Sequence, residues 1–254
     1  MKKLLKNELI LCVTLVTGLA CAFLHHRMMT TALDEKGLLI PGNSLSIGLW
    51  ALCLGFLAFA LAISQVQKVT APFRLHFPAC KIRGCLGMAG GVITVLYSLS
   101  ILLQPQLLVG IPGIAAGICM VFTGLCRFRG RHPSPMFHCV VCIFFVIRLV
   151  LSFQKWSSDP QLQDYVLALL ALIGLMMFAF HRASSDANTM NPKRTAFFSL
   201  CAGFFCLASL SDPSMRLLML GAGMWSVGAA PTLEPLPEPE TPAEADRKEE
   251  EEEM

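Results

Sequence analysis

The chain has 254 residues, of which 55% are apolar and only 15% are charged, whereas soluble domains carry about a quarter charged residues. This composition excludes an ordinary soluble globular protein. The formal net charge of +3 combines two opposed parts, because the tail from Pro231 onward holds ten acidic and two basic residues. The rest of the chain is basic, and its Lys and Arg residues lie at the ends of apolar blocks. This pattern indicates contact with anionic lipid headgroups and not with nucleic acid.

Eight apolar blocks follow one another along the chain, each close to the length of a membrane-spanning helix. A hydrocarbon core about 30 Å thick takes about 20 helical residues to cross. The blocks are apolar on all sides instead of alternating, which indicates helices and not the strands of a barrel. We therefore predict an all-α, polytopic transmembrane helix bundle of eight helices, arranged as four antiparallel hairpins. The predicted spans are Leu9–Leu24, Leu45–Ile63, Cys85–Gln104, Leu107–Cys126, Met136–Phe153, Tyr165–Phe180, Thr195–Leu210 and Arg216–Ala230.

Two regions follow from this division. Residues 1–230 form the predicted transmembrane domain, and residues 231–254 form a disordered acidic tail rich in proline and glutamate, which cannot bury a core. The last predicted span is short and is interrupted by three glycines. A seven-helix bundle, with this segment re-entrant or interfacial, is therefore an open alternative.

The distribution of basic residues predicts the orientation of the bundle. With the amino terminus in the cytoplasm and alternating crossings, fifteen of the twenty Lys and Arg residues lie on the cytoplasmic side. Four lie outside, and the opposite topology would reverse this bias. We predict a multi-pass protein of the plasma or inner membrane with both termini in the cytoplasm.

Arg148 is the one charged residue that falls inside a predicted span. A cation at that depth is costly, so it reaches the headgroups along its long stem, pairs with an acid, or serves a function. Acidic and aromatic residues crowd the same outer edge of the predicted bundle. One hypothesis is a shallow anion-binding site that faces outward. The alternative is that Arg148 has a structural role. The candidate residues of the anion-binding site are Arg148, Asp159, Asp164, Tyr165, Asp212 and Arg216, with Asp212 and Arg216 forming a predicted i, i+4 pair.

Glycines recur at a spacing of four in the third and fourth predicted spans. Gly87 and Gly91 form one such pair, and Gly113 and Gly117 form the other. This spacing lets two helix backbones approach closely, so the two spans are predicted to pack tightly. Pro112 removes a backbone hydrogen bond in the fourth span and predicts a structural kink there.

The sequence offers no metal or cofactor site. Cys139 and Cys142 have the spacing of a metal or redox motif, but they lie in an apolar span without a second pair, so packing is the favoured interpretation. A second hypothesis is an external metal site in which His25 and His26 join Asp34 and Glu35 in a first outer loop. No catalytic, cofactor-binding or metal residues are predicted.

The remaining function classes are those of a membrane protein without an enzyme signature. Phosphate loops, zinc-protease motifs and nucleophile elbows are missing from the sequence. A small transporter or permease component is the first candidate, and a sensory, regulatory or assembly-partner membrane protein is the alternative. The acidic tail is a candidate contact for a membrane or cytoplasmic protein partner. A polar cavity lined by Arg148, Tyr97, Ser98 and Ser100 would favour transport, and a solidly packed bundle would favour the alternative.

Overall fold

The computed structural model describes residues 2–31, 43–66, 77, 79–103, 107–157, 162–187, 189 and 192–231. This part of the chain is an all-α bundle, which confirms the predicted fold class. A short 3₁₀ turn, Ser209–Ser211, precedes the last helix. The eight helices are α1 (Lys2–Thr31), α2 (Ser44–Val66), α3 (Lys81–Leu102), α4 (Leu107–Phe128), α5 (Pro135–Trp156), α6 (Leu162–Asp186), α7 (Pro192–Ala208) and α8 (Arg216–Ala229).

Within the described ranges, seven helical segments are long and apolar enough to cross a membrane. Their lipid-facing surfaces carry large exposed apolar side chains, such as Leu54 (65% exposed) and Ile143 (58% exposed). Such a surface is unfavourable in water and favourable in a bilayer. The chain is therefore a multi-pass membrane protein.

Consecutive helices run antiparallel, so the bundle has two distinct ends. We call the end where α1 begins and α8 ends the terminal end. The other is the hairpin end, where α1 connects to α2, α3 to α4, α5 to α6 and α7 to α8. Helix α8 packs on α3, α4, α6 and α7, and it therefore connects α3 to α7. The α1–α2 pair packs against α7, and α5 packs between α4 and α6.

The short helix α8 buries most of its surface against other helices and exposes a strip that includes Leu217 (44% exposed) and Leu220 (39% exposed). Its 14 residues correspond to about 21 Å, less than the thickness of a hydrocarbon core. Leu218, Met219, Ala222 and Trp225 on this helix are fully buried. Because protein covers most of α8, most of this short helix lies against other helices and not against lipid.

The most extensive helix contact joins α3 to α4, and the four predicted packing glycines lie in it. A Cβ added to Gly91 would lie 2.7 Å from the Val121 nitrogen and 2.8 Å from the Gly117 oxygen. On a neighbouring face of α3, a Cβ at Gly90 would clash with the Gly221 oxygen of α8. The glycines let three backbones meet along α3. Pro112 lies inside α4, which continues through it to Phe128.

The helix α1 extends beyond its predicted span at both ends. The helix α1 ends at Thr31 and not at Leu24, so His25 and His26 are helical residues and not part of a loop. The prediction ended the span at the first polar residue, but the His25 ring is buried and its Nδ1 lies 2.6 Å from the Ser211 hydroxyl. Asp34 and Glu35, the predicted acidic partners in the outer loop, lie outside the described residues.

Candidate functional site

The most prominent polar feature of the bundle is a cleft at the hairpin end, between α3, α4, α5 and the turn before α8. Its volume is about 580 Å³. This volume lies in the range of about 300–1,000 Å³ that is usual for small-molecule sites. The polar residues that line the cleft are Tyr97, Ser100, Arg148, Ser152, Lys155 and Ser214.

Arg148 lies at the centre of this cleft, on α5. Its Nη2 donates a hydrogen bond of 2.8 Å to the Tyr97 hydroxyl, and its Cζ lies 5.9 Å from the centre of the Tyr97 ring. Its Nε is buried and has no hydrogen-bond partner among the described residues. Arg148 also forms no ion pair with a carboxylate in that part of the chain. The guanidinium is therefore held in place by a neutral phenol, and its charge is not neutralised by a described acid.

The polar side of the cleft follows from spacing along α5. Arg148, Ser152 and Lys155 stand at i, i+4 and i+7, so they lie on one face of the helix. The Ser152 side chain is buried and its hydroxyl, like the Nε of Arg148, has no described hydrogen-bond partner. Two unused donors one helical turn apart can hold an anionic group between them, since charge-assisted hydrogen bonds to carboxylate, sulfonate or phosphate are the stronger kind.

The other predicted site residues occupy different positions. Tyr165 does not line the cleft: its ring stacks on Trp156 at 4.5 Å, and Trp156 forms part of the cleft wall. Asp159 and the side chain of Asp164 lie outside the described residues.

The predicted Asp212–Arg216 pair is wrong. Asp212 Oδ1 accepts hydrogen bonds of 2.8 Å from the backbone nitrogen and the hydroxyl of Ser214, whereas Arg216 Nε donates to the Leu210 oxygen at 2.9 Å. The i, i+4 rule fails here because α8 begins only at Arg216, which leaves Asp212 in the preceding turn. Asp212 thus stabilises the turn in which Ser214 lines the cleft.

Ser98, proposed from the sequence as a cavity residue, lies in the packed interior next to the cleft. Its hydroxyl donates 2.8 Å to the Thr94 oxygen, and the side chain is fully buried. A Cβ added to Gly113 would meet the Ser98 hydroxyl and the Phe144 ring. Met120 is also fully buried at this level. Among the described residues, the cleft therefore ends above a closely packed interior.

An apolar groove adjoins the cleft on the lipid-facing side, between α4 and α5. Its volume is also about 580 Å³, and Leu107, Leu108 and Leu151 line both spaces. The groove continues past Ile111 and Val146 along the two helices. A cationic pocket thus opens directly onto an apolar channel that faces lipid.

A second polar cluster, at the terminal end, was not anticipated from the sequence, which assigned its arginines to solvent-exposed loops. Arg83, Arg127 and Arg182 are helical residues with exposures of 8%, 7% and 5%. Both Arg83 and Arg127 donate to the Ala230 oxygen, at 3.4 and 2.7 Å. These bonds satisfy a carbonyl at the end of α8.

Asp186 supplies the described carboxylate of this cluster. The Arg182 Nη1 donates to its Oδ1 at 2.6 Å, and the His138 Nδ1 lies 2.8 Å from its Oδ2. The His138 contact has the distance of an ion pair but not the angle of a hydrogen bond. The predicted span ended at Phe180, but α6 continues to Asp186 because the pairing stabilises the charged turn inside the bundle. The i, i+4 spacing of Arg182 and Asp186 was the available sequence signal.

Comparisons with known proteins provide no relative: no protein-family model, no curated protein and no solved structure matches this chain.

Proposed function

We propose that this protein is a small membrane permease or permease component that takes an organic anion into the hairpin-end cleft, with Arg148 as the anion-binding residue. The observation that carries the proposal is the Arg148 guanidinium. It lies in an open cleft with its Nε unpartnered among the described residues and without an ion pair to a described carboxylate. A cation in a transmembrane segment, facing a cavity, is characteristic of substrate and ion pathways.

The lining of the cleft favours an anion over a cation. Arg148 and Lys155 both line it, and Ser152 adds a hydroxyl donor. Tyr97 contributes a hydroxyl that already accepts from Arg148 and can donate its own proton to a ligand oxygen. A cationic ligand would meet two like charges, whereas a carboxylate or sulfonate would meet charges of opposite sign and several donors.

The adjoining groove defines the substrate class more narrowly. Because Leu107, Leu108 and Leu151 line both spaces, an anion with an aromatic ring or short alkyl chain can place its charged group at Arg148 and its apolar part between α4 and α5. Burial of that part contributes about 25 cal/mol per Å² of apolar area. We therefore infer an amphipathic organic anion in preference to a small inorganic one.

The orientation inferred from the basic residues completes the proposal. If the terminal end faces the cytoplasm, as the Lys and Arg bias favours, then the Arg148 cleft opens to the outside of the cell membrane. The cleft would then receive its ligand from the exterior or from the outer leaflet.

The test uses 1-naphthalenesulfonate, a fluorescent anion that keeps its charge at all working pH values. The purified protein in a neutral maltoside detergent is expected to bind it, and Arg148→Gln is expected to weaken binding at least about tenfold, the loss of a charged hydrogen bond of about 1.5–3 kcal/mol. Arg148→Lys, which keeps the charge but not the fork of donors, should give an intermediate affinity. The matched control ligand is 1-naphthylmethylamine, a cation of similar shape, for which no saturable binding is expected.

The regulatory alternative rests on a specific observation, the close packing of Ser98 and Phe144 against Gly113 next to the cleft. A protein that binds an anion without moving it would serve as a sensor or as a subunit of a larger assembly. Uptake of the sulfonate into proteoliposomes distinguishes the two. Arg148-dependent uptake supports the permease, whereas Arg148-dependent binding without uptake favours the regulatory alternative.

A further inference from the structure

The arginine cluster at the terminal end carries more positive than negative charge in its buried part. Two guanidinium groups, those of Arg127 and Arg182, are at least nine-tenths buried, and the described carboxylate beside them is that of Asp186. Buried charges of one sign are strongly destabilising unless a counterion compensates them. Among the described residues, Arg127, Arg182 and Asp186 together leave an excess of one positive charge.

Several buried donors in the cluster are not used. Arg127 Nη1 donates a hydrogen bond to the Ala230 oxygen, while its Nε and Nη2 have no described partner. The Nε of Arg182 and the Nε2 of His138 are likewise buried and unpartnered in that part of the chain. A buried charged donor without a hydrogen-bond partner lowers stability more than the replacement of both partners by apolar groups does.

These residues surround one small cavity. Arg127, Arg182 and His138 line it, and the exposed side chains of Arg131 and His132 stand at its mouth. The cavity volume is about 20 Å³. A space of about 10–15 Å³ measured in this way holds one water-sized particle, so this cavity admits a single small ion but not a sulfate, a phosphate or a carboxylate.

The fold explains why the cavity is both small and rigid. Gly87, Gly124 and Gly228 form part of its wall, at the level where α3 meets α4 and α8. A Cβ at Gly228 would lie 2.6 Å from the Gly87 nitrogen. Close backbone contacts on this side prevent the pocket from widening, so its size selects its ligand.

We propose that the terminal-end cavity is a binding site for a monatomic anion of the halide class, held by Arg127, Arg182 and His138. The site is separate from the hairpin-end cleft, and it does not depend on the function proposed for that cleft. The anion supplies the charge that the described residues lack, and it accepts the unused hydrogen bonds of the two guanidinium groups and the imidazole.

Trp225 provides a direct probe, since its ring also lines the cavity. When this chain carries Trp50→Phe and Trp156→Phe, Trp225 is its single remaining tryptophan. Bromide, a heavy-atom quencher, is titrated at constant ionic strength with gluconate as the replacement anion. We expect saturable quenching, competition by chloride, and no competition by sulfate.

Variants at the two ends of the bundle locate the site. Arg127→Lys keeps a positive charge but lacks the Nε and Nη2 donors, so the bromide affinity is expected to fall at least about tenfold while the protein stays folded. Arg127→Gln should abolish the saturable phase, and its elution profile shows whether it has folded. The matched control is Arg27→Gln, an exposed arginine at the hairpin end that does not line the cavity, which should leave the bromide titration unchanged.

The opposite results would overturn the proposal. Quenching that rises linearly with bromide would indicate collisional access and a cavity that holds water. Saturable quenching that is unaltered by Arg127→Lys would assign bromide to another site. Equal competition by chloride and sulfate would contradict the size limit of the cavity.

Discussion

Replacing Gly91 with alanine tests the close approach of α3 and α4. The added Cβ would lie 2.7 Å from the Val121 nitrogen, 2.8 Å from the Gly117 oxygen and 2.8 Å from the Val121 Cγ2, whereas ordinary contacts begin at 3.4 Å. Two of these three atoms are backbone, so relief requires the helices to separate by several tenths of an ångström. Overpacking of this kind typically costs about 1–3 kcal/mol.

A matched control removes the effect of helix propensity. Alanine is favoured over glycine in a helix by about 1 kcal/mol, and Gly55→Ala on α2 gains this preference without a clash, because nothing lies within 4 Å of its added Cβ. We therefore expect Gly91→Ala to unfold more easily than Gly55→Ala by about 1–3 kcal/mol, measured by SDS titration of the purified protein in mixed micelles. Equal unfolding free energies for the two variants would refute the close packing of α3 on α4.

Three further predictions use the same titration or a chemical probe. Asp186→Asn removes the carboxylate that Arg182 and His138 contact. The substitution should lower the free energy of unfolding by about 3–5 kcal/mol, and an unchanged unfolding midpoint would contradict the pairing. Trp225→Phe, at a fully buried position with a donated hydrogen bond, should cost about 1–3 kcal/mol, whereas Trp50→Phe at a position 38% exposed should change little. Cys21 and Cys53 have sulfur atoms 3.7 Å apart, so a membrane-permeant oxidant should join them into a disulfide detectable by mass spectrometry; their recovery as separate alkylated thiols would argue against the α1–α2 contact.

The fold class was predictable because lipid imposes a strong constraint on sequence. Apolar blocks of nearly fixed length identify helices, and short connections imply antiparallel neighbours. The burial of most of α8 was not predictable in this way. From its sequence, a short segment with three glycines is a poor candidate for a membrane span. The contacts of Gly221 and Gly228 with α3 explain why protein covers most of it.

The candidate site was predictable in part. Arg148 stands out because it interrupts an apolar run, but its partner Tyr97 lies 51 positions away on another helix, and sequence spacing carries no information about such a contact. Arg127 and Arg182 were taken for loop residues, because a cation at the end of an apolar block is normally solvated. Their burial depends on the meeting of five helices, α3, α4, α5, α6 and α8, which no local pattern encodes.

The most direct test of the central claim is an experimental structure of the protein with a brominated naphthalenesulfonate bound. The account predicts density for the sulfonate within hydrogen-bond distance of Arg148 and Ser152, with the ring between α4 and α5. A structure in which Arg148 is paired with Asp159 or Asp164, and the cleft is closed to the ligand, would contradict it.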